Sequence, residues 1–153
     1  MKLEWTILVI VWMLTFSLFF FIPHRKFRLA QAAILFKQMI TWIIGQVVVE
    51  LGLLEYPVRC FASVHRSSFT FEFLSYPVIC GLFNARYPAE RSLWFKLFYF
   101  CSYCTAITVI EVLIEKYTEL ITYIHWSWYW TWITLLITFG MSRIFCKWFF
   151  SLK

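Results

Sequence analysis

SSFTFEFLSYPVICGLFNARY, residues 67–87, decides how this chain is threaded. The stretch is long and apolar enough to cross a membrane, yet it contains Glu72, Pro77 and Asn84. Counted as a span, it places Arg86, Arg91 and Lys96 on the opposite side from Arg59 and Arg66. Left out, it puts all five bases on one side. The rest of the chain has to arbitrate.

Composition points to lipid. Of 153 residues, 62% are hydrophobic and 14% charged, and mean hydropathy is +0.74. A soluble domain is about 45–50% apolar and about 25% charged. A chain of this size has too little interior to hide that much apolar surface, so a bilayer is its natural solvent. The formal net charge of +6 does not argue for nucleic acid. The bases flank apolar runs and form no stripe that could track phosphates.

Four further apolar runs lie around the deciding stretch. Residues 6–22 exceed the about 7–15 residues of a signal-peptide core and lack a small-x-small cleavage site, so they read as a retained anchor. The next run holds Lys37. A span centred on that lysine would cost about 2.5–3.5 kcal/mol, so the span is placed at 39–56. Residues 27–38 then read as an interfacial helix with Lys37 snorkelling to the head groups. Residues 93–114 and 126–145 complete the set.

Loop charge settles the count. With five spans and the N-terminus outside, Arg25, Lys26, Arg28, Lys37, Arg86, Arg91, Lys96, Arg143, Lys147 and Lys153 lie inside, against Lys2, Arg59, Arg66 and Lys116 outside. This is the bias of the positive-inside rule, and deleting 67–87 abolishes it. Pro77 is tolerable in mid-helix where a neighbouring helix re-satisfies the freed backbone groups. The expected fold is all-α: one polytopic membrane domain over 1–153, with five transmembrane helices and an interfacial helix near 27–38.

That threading gives the carboxylates a common depth. Glu50, Glu72 and Glu111 fall in the outer half of spans two, three and four, with Glu55, Glu115 and Glu119 nearer the surface. Gln46 and Glu50 share a helix face. Ser102, Thr105, Thr108, Glu111 and Glu115 make a polar stripe on the fourth span, and Thr131, Thr134, Thr138 and Ser142 make one on the fifth. Polar stripes belong inside a bundle, and ionisable residues within a membrane mark functional sites. Glu50, Glu72 and Glu111 are expected to converge, with Tyr56, Tyr76 and Tyr117 as nearby donors.

Two readings follow. In one, the carboxylates bind a cation, a proton or a polar solute; Glu50, Glu72, Glu111, Glu115, Arg59 and His125 are the candidate residues. In the other, the chain is a structural or assembly partner of other membrane proteins, and its carboxylates only pair with Arg59, Arg66, Lys116 or His125. No enzyme motif is present: there is no His-Glu-x-x-His, no Gly-x-Ser-x-Gly and no phosphate-cradling glycine loop. No cofactor is expected, and no metal site, since Cys101-x-x-Cys104 has no second pair. HWSWYWTW, residues 125–132, reads as an interfacial aromatic belt.

From residue 48 onward the chain resembles an uncharacterised family of small multi-pass membrane proteins from spore-forming, Bacillus-type Firmicutes. VVELGLLEYPVR, SFTFEFLSYPVICGLFN with RYP, IEVLIEKYTELI and HWSWYWTWIT carry the resemblance. It implies a bacterial plasma-membrane protein and supplies no activity. Its signature segments contain Glu50, Glu55, Glu72, Glu111 and Glu115.

Overall fold

The computed structural model describes residues 2–151; Lys153, counted above on the inner side, lies outside them. Five α-helices run up and down: α1 (Lys2–Leu18), α2 (Phe27–Glu50), α3 (Tyr76–Ala85), α4 (Leu93–Tyr117) and α5 (Trp128–Phe149). A π-helical segment, Phe69–Ser75, leads into α3. Two short strands, β1 (Leu54–Glu55) and β2 (Thr122–Tyr123), pair antiparallel, with Leu54 opposite Tyr123 and Glu55 opposite Thr122. They tie the α2–α3 connection to the α4–α5 connection and roof one end of the bundle, the capped end. The opposite end carries residues 22–28 and 86–92, and is rich in base.

The protein is inverted relative to a soluble domain. Phe20, Trp94, Trp148 and Leu14 are among many large apolar side chains facing outward, while Lys37, Glu72, Asn84, Glu111, Thr138 and Ser142 are buried. Three helical stretches are long and apolar enough to cross a membrane: Lys2–Phe21, His24–Glu50 and Leu93–Tyr117. The π segment and α3 together are shorter. α5 has the length, 22 residues, but is not one of the three, so three of the five expected spans are supported among the described residues.

One sequence expectation is corrected. No break separates an interfacial helix at 27–38 from a span at 39–56; α2 is continuous from Phe27 to Glu50. Lys37 does not snorkel. It is fully buried, with Nζ donating to the Thr138 hydroxyl and lying 4.6 Å from the centre of the Phe139 ring. The reason is helical phase. Ala30, Ala33, Ile34 and Lys37 fall on one face at helical spacing, and that face is buried. Gly81 of α3 sits so close to it that a Cβ there would come within 2.6 Å of Ile34. Small residues let the two helices approach and carry Lys37 inward.

Pro77 explains the π segment. Proline has no N–H and its ring crowds the carbonyl four residues back. Here that carbonyl is Phe73's, with Glu72's one further back. Both are bonded from α2: Gln38 Nε2 donates to the Phe73 carbonyl at 2.9 Å, and Thr41 Oγ1 to the Glu72 carbonyl at 2.8 Å. Ser68 caps the segment by accepting from the Phe71 N–H. α1 is pinned to the same segment by Trp12 Nε1 donating to Thr70 at 3.0 Å and by Thr15 bonding Ser75 at 3.1 Å. A wide turn is thus held from two sides, and Glu72 projects from its middle.

Candidate functional site: a carboxylate chamber beneath the cap

Glu72 and Glu111 line one cavity of about 80 Å³. Its walls come from α2 (Lys37, Thr41, Gly45), the cap (Leu54, Tyr56, Trp126), Tyr76 at the start of α3, and Thr131, Thr134 and Thr138 of α5. A site needs only about 10–15 Å³ to take one water, so the chamber has room for a few small polar molecules or a partly hydrated ion.

Glu111 is surrounded by donors. Tyr123 OH donates to Oε1 at 2.6 Å and Thr131 Oγ1 at 2.7 Å, while Tyr76 OH bonds Oε2. Trp126 Nε1 in turn donates to Thr131 Oγ1 at 2.8 Å. Burial first, and then the adjacent Glu111 carboxylate, push the Tyr123 phenol well above its ordinary value. It therefore keeps its proton and acts as a donor.

Glu72 is only half satisfied. Tyr56 OH donates to Oε1 at 2.9 Å and the Ser67 hydroxyl acts on the carboxyl from nearby, but the buried Oε2 has no hydrogen bond of ordinary geometry. The side chain is 5% exposed. Its carboxyl lies where a side chain on α2 would otherwise be: a Cβ at Gly45 would sit 2.0 Å from Oε2 and 2.4 Å from Oε1. Glycine at 45 therefore makes the space that this carboxyl occupies. A buried polar atom without a partner costs about 1–3 kcal/mol, so the open oxygen calls for an explanation.

Among the described residues, neither Glu72 nor Glu111 has an ion-pair partner. The cation in the same cavity is Lys37, eight residues from Gly45 along α2, or about 12 Å at 1.5 Å per residue. It bonds Thr138 rather than a carboxylate. Among the described residues, no three His, Cys, Asp or Glu side chains cluster in a way that would hold a metal ion.

The remaining sequence candidates lie elsewhere, and the three-way convergence expected of Glu50, Glu72 and Glu111 fails at Glu50. That carboxylate ends α2, one residue past the buried Val49, and is turned outward. It pairs with Arg66 at 3.1 Å, with both side chains largely exposed. Arg59 holds the loop, donating to the carbonyls of Tyr56 at 2.7 Å and His65 at 3.0 Å. Glu115 is half-buried and outside the chamber lining, and His125 is exposed. Tyr117 is exposed too. On α4, Ser102 and Thr105 face outward; Ser102 bonds its own helix at the Tyr99 carbonyl and Thr105 accepts from Trp132. Of the stripe on that helix, Thr108 and Glu111 are buried.

Sequence reasoning missed Lys37, Gly45, Thr41 and Trp126 as chamber residues. The signal for the first three was available in their eight-residue, small-and-polar spacing along α2.

No family model matches the chain, and no curated protein or solved structure proves similar to it.

Proposed function

We propose that this chain is a five-span protein of a bacterial plasma membrane, N-terminus outside, whose chamber binds one small monovalent cation or one proton between Glu72 and Glu111. The observation that carries the reading is Glu72, a buried carboxyl on the wall of the cavity whose Oε2 has no hydrogen bond of ordinary geometry. Charge balance supports the stoichiometry. Two carboxylates against the one Lys37 ammonium leave the chamber a single positive charge short of neutral. The ligand set supports the class: carboxylate and hydroxyl oxygens suit hard, oxygen-loving cations. Pairing with surface bases accounts for Glu50, which has Arg66; it does not account for Glu72 or Glu111. Placing the capped end outside agrees with the distribution of Lys and Arg.

The test uses the purified full chain in detergent. Its unfolding midpoint is followed in sodium, lithium and potassium chloride against choline chloride at fixed ionic strength, across pH 5–9. A ligand present at about 100 times its dissociation constant stabilises the folded state by about 2.7 kcal/mol. The wild type should respond to an alkali cation or to pH, and Glu72→Gln should fold and lose the response. A wild-type midpoint indifferent to both removes the proposal. Reporter fusions after residues 66 and 90 test the threading, and an outside signal at 90 overturns it.

A further inference from the structure

The basic end holds a second pocket, unrelated to the chamber. It encloses about 590 Å³ between the start of α2, the α3–α4 loop and the end of α5, and is lined by Arg25, Lys26, Arg28 and Arg143 with the lone acid Glu90. Arg143 is the anchor. It is 9% exposed, its guanidinium lies 4.0 Å from the centre of the Tyr87 ring, and its Nε has no hydrogen-bond partner. Among the described residues none of the four bases forms an ion pair. Arg25, Lys26 and Arg28 stand exposed around it.

Four bases and one acid leave this pocket with a surplus of three positive charges and, in Arg143, a guanidinium stacked on Tyr87 whose buried Nε has no hydrogen bond. Arginine presents its donors in a rigid fork that matches phosphate oxygens. α2 adds to the field: its first residues line the pocket, and the side chain of Lys26 does not cap them. The positive end of a helix favours an anion. The surroundings are apolar. Phe150 lines the pocket, and Phe20, Phe21, Phe27, Trp148 and Phe149 at the same end are exposed, where a bilayer's interfacial layer would meet them.

We infer that this pocket binds a phosphate group, with Arg143 as the buried fork and Arg25, Lys26 and Arg28 as the flanking charges. The source the surroundings favour is the head group of an anionic phospholipid, since basic pockets between membrane helices are suited to such head groups. This rests on the membrane reading and is independent of the carboxylate chamber.

The experiment uses the full chain in a zwitterionic detergent. Unfolding midpoints are measured on titration with phosphatidylglycerol, with phosphatidylcholine and with inorganic phosphate. Phosphatidylglycerol should raise the midpoint and phosphatidylcholine should not. Each charge-assisted contact removed should cost about tenfold in apparent affinity. Arg25→Gln and Arg28→Gln, both at exposed positions, should show that loss even if Arg143→Gln fails to fold. The double variant Arg91→Gln, Lys96→Gln removes charge from the same end outside the pocket and should leave the response unchanged. A response to inorganic phosphate at matched concentration upholds the site and assigns it to the free anion; its absence assigns it to lipid. Equal responses to both lipids with none to phosphate, or an equal loss in the Arg91/Lys96 control, overturn the inference.

Discussion

Replacing Gly45 with alanine tests whether the Glu72 carboxyl sits where the structure puts it. In an ordinary helix interior the change stabilises by about 1 kcal/mol, because glycine loses more backbone freedom on folding than alanine. Here the three atoms nearest to the new Cβ all belong to the Glu72 carboxyl, at 2.0, 2.2 and 2.4 Å, well inside van der Waals contact. The carboxyl must leave. Its bond from Tyr56 goes with it and leaves a buried phenol unpaired, at a cost of about 1.5–3 kcal/mol. The two effects oppose, and the net for Gly45→Ala in the wild type is a destabilisation of about 0.5–2 kcal/mol. In a Glu72→Ala background the obstacle is gone, and the same substitution should stabilise by about 1 kcal/mol. The coupling in this double-mutant cycle is then about 1.5–3 kcal/mol. Unfolding in mixed micelles with increasing denaturing detergent measures all four corners. If Gly45→Ala stabilises both backgrounds by the same amount, the carboxyl is not packed on α2 and the chamber as described does not exist.

The π segment offers a second cycle. Gln38→Leu removes the donor to the Phe73 carbonyl and should cost about 1–3 kcal/mol of stability, but distinctly less in a Pro77→Ala protein, whose new N–H can take over; additivity of the two changes would refute the account of Pro77. At the exposed Glu50–Arg66 pair the expectation is small. Glu50→Gln should shift stability by no more than about 0.5 kcal/mol, and it should leave any cation response of the wild type intact, as read from the same unfolding midpoints.

The sequence exposed the apolar runs and the face of α5 that carries Thr131, Thr134 and Thr138, because helical periodicity survives without any knowledge of partners. It also singled out Glu72 and Glu111. Depth alone could not place Glu50. Glu50 and Glu72 lie at similar expected depths, but depth does not fix rotation about the helix axis, and one residue beyond Val49 turns the side chain by about 100° at 3.6 residues per turn. Lys37 was misplaced for a different reason. Insertion costs describe a lysine on a helix facing lipid, whereas here Thr138 and Phe139 of another helix solvate the ammonium. Spacing alone puts Gly45 on the face of Lys37 and Thr41, but what it makes room for could not be read, since the carboxyl it accommodates comes from a segment far away in the chain. Tyr123 reaches Glu111 only because β1 and β2 pair.

α5 measures out the polar interior from one end to the other. Thr131 serves Glu111, Thr138 serves Lys37, and Ser142 accepts from Asn84 at 3.1 Å, one residue before Arg143. A cation admitted at the capped end meets the two carboxylates first. Lys37 lines the same cavity, about 12 Å along α2 from Gly45, and its buried ammonium, a fixed positive charge at low dielectric, repels a second cation. On the proposed reading the chain therefore holds a cation without conducting it. Liposomes containing the protein and a trapped alkali-sensitive dye give the test. The wild type should show no flux above empty liposomes. Lys37→Met keeps the length and packing of the side chain but leaves the chamber two positive charges short, so the stability of the variant should depend more on alkali cation than that of the wild type. With the barrier gone, its flux should rise above that of the wild type, and Glu72→Gln added to it should bring the flux down again. Flux in the wild type equal to that of Lys37→Met would mean that the lysine guards nothing.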